Sequence, residues 1–390
     1  MKADETPFYF TRVECPVCRT VNEFETIKLG AYTESGRDTD FRPLRREWRN
    51  PRYQNTNPLL YFMASCTSCF YTREFNRRFR DWKSDTAYRT HRQALVRQQH
   101  LGMLAEEDSP VKMLGAALWP ASYPMQTAIN KLLLGILDEE KLEGSSHFDI
   151  ARWYLRVAWL FREMSGGQDS HTSPWTHLRQ QIEQKLGALR TGTEQATQHI
   201  NDIKNLLDCH PESAIAAPGN AEGPARCGQA IQTLLSHAGA MAAETERLLQ
   251  LLLQNEGGRT VPNGGKGEER YGDFPSYTMF LQELRDQWDG APLDETSALA
   301  ASLNHYRIAY REGRDVPPGN AQIQLAYMIG ELARRTGELS ESRQFFDLAI
   351  RTGRDWIHKL NSEPTKTALA RHIVDLAIEQ IHVMREQNAV

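Results

Sequence analysis

The spacing of hydrophobic residues differs between the first part of the chain and the rest. Residues 1–84 contain short runs of β-branched and aromatic residues, over 21–29 and 59–64, which predict β-strands. From about Asp85 onward, apolar residues recur in steps of three and four, which is typical of amphipathic helices. Three such helices are predicted in the first half of the chain, over 85–107, 125–141 and 148–164. The pattern therefore predicts a mainly α-helical protein with a small β region at one end.

A longer helical pattern occupies the middle of the chain. Over 178–207, apolar or small residues recur in steps of three and four for about four heptads. A second long helix is predicted over 231–252, and the segment 211–224 between the two is rich in proline and glycine. The two helices predict an antiparallel, coiled-coil-like hairpin that ends in a Gly-rich linker over 257–272. We treat 168–275 as an inserted hairpin with its linker, and its role stays open.

The last part of the chain resembles a helical repeat. Four residues of the segment 326–350 fall where the two helices of a tetratricopeptide repeat pack closely: Ile329, Gly330, Phe346 and Ala349. The segments 153–166 and 303–313 look like weaker copies of the same pattern. One repeat cannot bury its own apolar face, so neighbouring helices must complete the stack. Residues 276–390 are therefore predicted to form a tetratricopeptide-like helical domain.

Composition excludes several classes of protein. Hydrophobic residues make up 40% and charged residues 25% of 390 residues, as in an ordinary globular protein, and the net charge is −4. The first residues lack the basic and apolar regions of a signal peptide, and no apolar run approaches the ~18 residues of a membrane span. Six cysteines are too few for a disulfide-dense secreted scaffold. We therefore expect a cytoplasmic protein without a membrane span, in which cysteines more often bind metal than form disulfides.

Four of the six cysteines form two Cys-x-x-Cys pairs, Cys15 with Cys18 and Cys66 with Cys69. Two residues between thiolates let both sulfurs face one point, and two such pairs complete the tetrahedral shell that zinc prefers. The 47 residues between the pairs exceed the roughly 15–20 of a compact ribbon, so an extra hairpin or large loop is expected there. A closed four-thiolate shell favours a structural Zn²⁺ ion over a catalytic one. An iron–sulfur or redox role and metal-free thiols are the alternatives.

Other residues accompany the cysteines in a set that is specific to one family. The set comprises Cys15, Pro16 and Cys18; Arg37, Asp38, Asp40, Phe41 and Pro43; Asn57, Pro58, Leu59 and Tyr61; and Cys66 and Cys69. With the helix 151–163, it resembles the bacterial DUF2225 family of uncharacterised proteins. The resemblance covers roughly 8–165 and resumes over about 290–360, whereas the hairpin insertion departs from the family pattern. It implies a Cys₄ zinc ribbon followed by tetratricopeptide-like helices, and it implies no activity.

Two further patterns were weighed as ligand sites. Cys209, His210 and Cys227 flank the loop of the predicted hairpin, where they form part of a second metal site or are incidental. The segment 264–267, Gly-Gly-Lys-Gly, faintly resembles a phosphate-binding loop. It lacks the first glycine of that motif, the final Ser/Thr and a preceding strand, so we expect a flexible linker there.

Catalytic patterns are absent from the sequence. No His-Glu-x-x-His motif or nucleophile elbow occurs. The adjacent acids Glu139 and Glu140 point about 100° apart on a helix, and we expect them on a solvated face. We therefore predict no catalytic and no cofactor-binding residues besides the metal ligands, and we predict that the protein is not an enzyme.

Positive charge is concentrated near the cysteines. Residues 37–97 hold 14 Lys and Arg against six Asp and Glu, a local net charge of +8, with aromatic residues interleaved. Arginines beside aromatics on a zinc ribbon provide a surface for phosphates and stacked bases. The alternative is that these arginines form salt bridges with the acidic remainder and that the aromatics lie in the core.

Together these patterns predict four regions: a zinc-ribbon-like domain at 1–84, a helical region at 85–167, the hairpin insertion and linker at 168–275, and the tetratricopeptide-like domain at 276–390. This architecture favours a non-catalytic scaffold that docks protein partners in a groove of the helical stack. The hairpin would serve as a second contact or as an arm for self-association. The alternative function is a nucleic-acid-binding or regulatory module that acts through the Arg-rich ribbon.

Overall fold

The structure is a computed structural model that describes residues 6–165, 270–360 and 364–388, together with Gln198. The described stretches 6–165, 270–360 and 364–388 belong to one compact unit. Apart from Gln198, the predicted hairpin helices lie outside the described residues. The segment 264–267 and the trio Cys209, His210 and Cys227 also lie outside them.

The N-terminal part forms three two-stranded antiparallel hairpins. In the first, β1 (Phe8–Glu14) pairs with β2 (Val21–Ile27), so that Phe8 lies opposite Ile27. In the other two, β3 (Tyr32–Arg37) pairs with β4 (Pro43–Trp48), and β5 (Met63–Ser65) pairs with β6 (Thr72–Glu74). The first and third hairpins carry the Cys-x-x-Cys pairs in their turns. The second is the extra hairpin expected between the two pairs.

One strand prediction is wrong in part. The segment 59–64 holds a short 3₁₀ helix, Pro58–Tyr61, before strand β5 begins at Met63. Pro58 occupies the first position of that helix, where its fixed φ is favourable, and the Asn57 side chain accepts a hydrogen bond from the Leu59 N–H at 2.9 Å. Local capping therefore overrides the β propensity of this run.

Helices make up most of the remaining described chain. They are α1 (Arg77–Arg80), α2 (Gln93–Ala105), α3 (Pro110–Ala116), α4 (Pro124–Glu140), α5 (His147–Met164), α6 (Tyr277–Gln287), α7 (Glu295–Glu312), α8 (Asn320–Arg335), α9 (Leu339–Lys359) and α10 (Pro364–Asn388). The predicted helices 125–141 and 148–164 correspond to α4 and α5 within one residue at each end. The predicted helix 85–107 begins later, with a π-type segment at Tyr88–Arg92 that leads into α2.

Side-chain caps define where several helices begin. Ser146 caps α5 by accepting the Asp149 N–H, and Ser276 caps α6 by accepting the Met279 N–H. Helix α7 has a full capping box, in which the Asp294 side chain accepts the Ser297 N–H at 2.7 Å. Each cap satisfies a backbone N–H that the helix itself leaves unpaired.

The helices pack in succession around one large core. Helix α4 packs on α5, α5 on α7, α7 on α8, α8 on α9, and α9 on α10. Helices α8 and α9 approach closely at Gly330, where a Cβ atom would lie 2.8 Å from the Phe346 ring. The fold is thus mainly helical with small N-terminal β hairpins and a cluster of four cysteines. Assignment of the α8–α9 pair as a tetratricopeptide repeat stays a prediction.

Among the described helices, none combines the length and the apolar character needed to cross a membrane.

Candidate metal centre

Two tight turns place the cysteines, and we call Cys15–Thr20 the first knuckle and Cys66–Tyr71 the second knuckle. In the first knuckle the Cys15 N–H donates to the Thr20 carbonyl at 2.9 Å, and the Arg19 N–H donates to the Cys15 carbonyl at 3.1 Å. Arg19 has a φ of +70°, which is uncommon for a residue with a side chain. The same backbone pattern recurs in the second knuckle at Cys66, Phe70 and Tyr71. Both cysteine pairs are therefore held by the same turn geometry.

The two knuckles bring the four predicted cysteines together. Their Sγ atoms all lie within 4.8 Å of one another. Cys15 Sγ lies 3.7 Å from Cys69 Sγ, and Cys18 Sγ lies 3.5 Å from Cys66 Sγ. A tetrahedral ion with metal–sulfur bonds of about 2.3 Å holds its sulfurs about 3.8 Å apart, so the cluster matches a Cys₄ metal shell.

The protonation of the thiols also fits a bound cation. Hydrogen bonds from the Cys15 and Cys69 thiols, together with the Ser68 N–H at 3.5 Å, lower the pKa of Cys66. The interaction with Cys66 raises the pKa of Cys15 to about 12, and the interactions with Cys15 and Cys66 raise that of Cys69. Without a cation, the Cys66 thiolate therefore suppresses the ionisation of Cys15 and Cys69, whereas a bound metal ion stabilises thiolates.

Asn22 connects the two knuckles and is a residue that the sequence argument missed. Its side chain is buried and accepts hydrogen bonds from both the N–H and the hydroxyl of Thr67, at 2.9 and 2.8 Å. It also donates to the Thr20 carbonyl at 3.0 Å and to Cys66 Sγ at 3.4 Å. Asn22 therefore fixes the second knuckle against the strand that follows the first.

A comparison with protein families agrees with this geometry. A family model described as an uncharacterised protein conserved in bacteria, DUF2225, matches residues 8–186. Residues 8–186 belong to the DUF2225 family. The match includes both knuckles and the whole of α5. Neither the curated proteins nor the solved structures contain a match to this chain.

Behind the second knuckle of the DUF2225 segment lies a buried ion pair. His100 on α2 contacts Asp138 on α4 through Nδ1 at 2.6 Å and donates from Nε2 to the Cys69 carbonyl at 2.7 Å. Burial by itself lowers the pKa of His100, but the charge of Asp138 and the two hydrogen bonds outweigh it and raise that pKa. Both partners are acceptors, so the ring carries two protons. A lone histidine in a predicted helix gave no signal for this role.

The expectation of a solvated face at Glu139 and Glu140 is wrong. Glu139 is buried, pairs with Arg73 of β6 and accepts the Ser146 N–H at 2.8 Å. Glu140 accepts hydrogen bonds from the Tyr154 hydroxyl and the Trp288 ring N–H, both at 3.2 Å. Two adjacent residues on a helix reach different partners, and elements distant in sequence cover both of them.

A second buried cluster surrounds the family residues Asp38 and Asp40, and we call residues 38–41 the acidic loop. Arg162 of α5, which is 0% exposed, donates to Asp38 at 2.8 Å and to Asp40 at 2.9 Å. Arg335 of α8 donates to Asp38 at 2.9 Å. The loop thus joins the N-terminal hairpins to two helices that lie far along the chain.

The same loop is also bound through its backbone and through neutral groups. The Tyr327 hydroxyl donates to the Thr39 carbonyl at 2.9 Å, and the Thr39 hydroxyl donates to Glu331 at 2.5 Å. The Trp159 ring N–H donates to Asp40 at 3.1 Å. Burial raises the pKa of Glu331, but Arg334 and Arg335 lower it by a greater amount, so the carboxylate stays ionised. Asp38 and Asp40 belong to the residues that carry the family resemblance, but no pattern in the sequence indicates their partners.

The basic segment 37–97 divides into paired and exposed residues. Ion pairs engage several of its arginines: Arg42 with Asp38, Arg46 with Glu34 and Glu163, Arg73 with Glu139, and Arg80 with Asp81. Four of its aromatics lie in the core: Trp48, Tyr71, Phe79 and Trp82. Arg37, Arg45 and Arg49 are exposed on or beside the β3–β4 hairpin.

Proposed function

We propose that this protein is a non-catalytic docking protein, stabilised by zinc, that binds protein partners on its helical stack. One observation carries the proposal, namely that α5 and α8 already bind an acidic turn of the same chain, the acidic loop between β3 and β4. Arginines contact its carboxylates, and Tyr327 contacts its backbone carbonyl. Charge-assisted hydrogen bonds from arginines, together with a hydrogen bond to a backbone carbonyl, are the means by which this helical surface binds an acidic segment.

A further groove on the stack supports this proposal. A cavity of about 450 Å³ lies between α9 and α10 and is bordered by Leu339, Arg343 and Met384. Leu339 is 41% exposed at the edge of this cavity, and Arg343 is exposed as well, so the groove offers one apolar and one positively charged contact. We assign partner binding to this groove, because the acidic loop occupies the surface near α5 and α8. The α8–α9 pair then acts as a tetratricopeptide-like repeat, supported by the contact between Gly330 and Phe346.

The partner site is tested with a pair of matched variants. Full-length protein immobilised as bait in native cell extract is compared with Leu339→Asp, in the groove, and with Leu44→Asp, exposed on β4. We expect quantitative mass spectrometry to recover a protein whose enrichment falls about tenfold or more with Leu339→Asp and is unchanged with Leu44→Asp. Failure to enrich any protein, or equal loss with both variants, would refute docking at this groove.

We further propose that the metal in the Cys₄ centre is zinc with a structural role. A shell of four thiolates leaves no position for water or substrate, and soft sulfur ligands favour zinc in a reducing cytoplasm. Zinc binding would couple to folding with about 10–16 kcal/mol of apparent free energy, as in comparable sites.

Metal analysis tests this assignment. Protein purified without chelator is expected to contain about one zinc per chain, and Cys66→Ser is expected to lower this content and the midpoint of thermal unfolding. Ser68→Ala is the control, because Ser68 contributes its backbone N–H and not its side chain to Cys66. Iron in place of zinc, or full zinc content in Cys66→Ser, would contradict the proposal.

Nucleic-acid binding is the second candidate, and the exposed Arg37, Arg45 and Arg49 favour it. Fluorescence anisotropy with labelled DNA and RNA over a salt series tests it. This function predicts that binding weakens steeply with salt. It also predicts that the affinity falls in the double variant Arg45→Ser, Arg49→Ser and is unchanged in the control variant Arg351→Ser on α9. No binding at low salt would eliminate it.

A further inference from the structure

A cleft separate from the partner groove lies beside the second knuckle. It has a volume of about 740 Å³ and is bordered by β2, by the chain around β5 and by α3 and α4. Its walls are largely aromatic or apolar and include Phe10, Phe24, Tyr61, Met63, Phe70 and Phe75. Clefts of this size and lining are typical of small-molecule sites when a few polar groups converge in them.

Two polar side chains on α4 border this cleft. Thr127 and Lys131 are four residues apart, so they lie on the same helix face, one turn from each other. The Lys131 ammonium donates to the Leu60 carbonyl at 3.1 Å, although it carries three N–H groups. In the described part of the chain, no carboxylate forms an ion pair with it.

The hydroxyl of Thr127 gives a second, independent indication. Thr127 is 0% exposed, and its Oγ1 has no hydrogen-bond partner among the described residues. A buried hydroxyl without a partner is costly, and such groups in native proteins require an explanation. A ligand acceptor between Thr127 and Lys131 would satisfy both donors.

The charges around the cleft restrict the ligand. Burial lowers the pKa of Lys131 to about 8, with Glu25 acting in the opposite direction, so the ammonium is still largely protonated at pH 7. Glu23 and Glu25 of β2 are exposed and border the same cleft, nearer to solvent than Thr127. The inner end therefore favours one negative charge, and the outer end disfavours a second one.

We propose that this cleft binds a small monocarboxylate with an aromatic or similarly apolar body. Its carboxylate accepts hydrogen bonds from Lys131 and Thr127, and its apolar body packs against the aromatic walls. This ligand site is independent of the docking function proposed above, since it uses α4 and β2 and neither α9 nor α10.

The proposal is tested with a matched pair of probes. Zinc-loaded full-length protein at pH 7 is titrated with 4-phenylbutyrate and with 4-phenylbutanol, and binding is followed by calorimetry and by ligand-observed NMR. A charge-assisted hydrogen bond to Lys131 predicts that the acid binds at least about tenfold tighter than the alcohol. Phenylsuccinate, a dianion, is expected to bind more weakly than 4-phenylbutyrate. Absence of binding at millimolar concentration, or equal affinity for acid and alcohol, would overturn the proposal.

Variants locate the carboxylate. Lys131→Met keeps the length of the side chain and removes its charge, so it is expected to abolish the preference for the acid. Lys112→Met on α3 is the control, since Lys112 is exposed and donates to the Glu106 carbonyl outside the cleft. An unchanged preference in Lys131→Met would exclude this site.

A chemical measurement on the unmodified protein provides the same test without a variant. 4-Phenylbutyrate is expected to slow the reaction of Lys131 with an acylating reagent, measured by peptide mass spectrometry, and to leave Lys112 unaffected. Equal reaction rates of Lys131 with and without the acid would exclude binding at this lysine.

Discussion

At the scale of single residues, the metal centre depends on side chains that are not ligands. The spacing of Cys15, Cys18, Cys66 and Cys69 was sufficient to predict a common site, because the Cys-x-x-Cys turn has a narrow set of geometries. Asn22 and His100 were not predictable in the same way. The partners of Asn22 in the second knuckle and the partners of His100 lie 31 to 45 residues away in sequence, and only the packing of α2 and β2 around the knuckles brings them together.

Replacement of Asn22 tests this supporting role. Asn22→Ala leaves the Thr67 N–H without its acceptor, so we expect it to lower the free energy of unfolding by about 1–3 kcal/mol and to weaken metal retention. Urea unfolding and competition with a chelator measure the two effects. Asn55→Ala, at an exposed loop position, is the control and is expected to change neither by more than about 0.5 kcal/mol. Unchanged metal retention in Asn22→Ala would contradict the role assigned to Asn22.

A pair of histidines gives a prediction about pH. His147 on α5 and His305 on α7 face each other with Nδ1 atoms 2.9 Å apart. Burial, together with His305, lowers the pKa of His147 below its usual value of 6.5. The unfolded chain therefore binds the proton more readily than the folded one. The stability contributed by His147 is complete above pH 6.5 and is lost as the pH falls toward its lowered pKa.

Urea unfolding between pH 7.5 and 5.5 measures this effect. We expect the wild-type protein to lose more free energy of unfolding over this interval than His147→Asn, which has no titrating ring. Other groups that titrate in this range, such as His100, are present in both proteins and cancel in the difference. Equal losses in the two proteins would contradict the prediction.

At the scale of elements, periodicity predicted the long helices well and the short elements poorly. Helices α4 and α5 bury continuous apolar faces, so their pattern of hydrophobic residues follows the helical period closely. The run 59–64 has the composition of a strand, yet Asn57 and Pro58 initiate a 3₁₀ helix within it. Short elements depend on one or two capping residues. The spacing of hydrophobic residues gives no information about such caps, so it does not predict these elements.

The close approach of α8 and α9 at Gly330 predicts that alanine is destabilising there. At Gly102, which lies in open space on α2, alanine is expected to be stabilising. A Cβ atom at Gly330 would lie 2.8 Å from the Phe346 ring, whereas a Cβ atom at Gly102 on α2 meets nothing within 4 Å. We expect Gly330→Ala to lower the thermal midpoint, at a cost of about 1–3 kcal/mol from overpacking. Gly102→Ala is expected to raise the midpoint, because alanine stabilises an exposed helix by about 0.5–1 kcal/mol. Equal shifts in the two variants would show that the helices can separate at Gly330.

At the scale of the whole molecule, the acidic loop couples parts of the chain that sequence analysis treated as separate regions. Asp40 and Arg162 are 122 residues apart, and Asp38 and Arg335 are 297 residues apart. Single residues of this kind have no local signature, because their burial depends on helices that form elsewhere. The boundaries predicted at residues 84, 167 and 275 stay predictions, although the described stretches on both sides of the hairpin pack in one unit.

Removal of one charge from this cluster is expected to affect the whole unit. Arg162→Met leaves Asp38 and Asp40 buried with fewer partners, so we expect a loss of about 3–5 kcal/mol in the free energy of unfolding. Limited proteolysis should then cleave the β3–β4 region and the α7–α8 region at similar rates. Arg354→Met, exposed on α9, is the control and should leave the cleavage pattern unchanged. Faster cleavage of β3–β4 alone would contradict the coupling.

The long separation between the acidic loop and Arg335 also orders events during synthesis of the chain on the ribosome. All four cysteines of the candidate metal centre have been translated at residue 69, whereas Arg335 follows 266 residues later. At about 5–20 residues per second, this interval lasts roughly 13–53 s. The knuckles can therefore form, and take up the proposed zinc, while Asp38 and Asp40 are still exposed to water. The nascent N-terminal part reaches its final state only when the C-terminal helices emerge and neutralise those carboxylates.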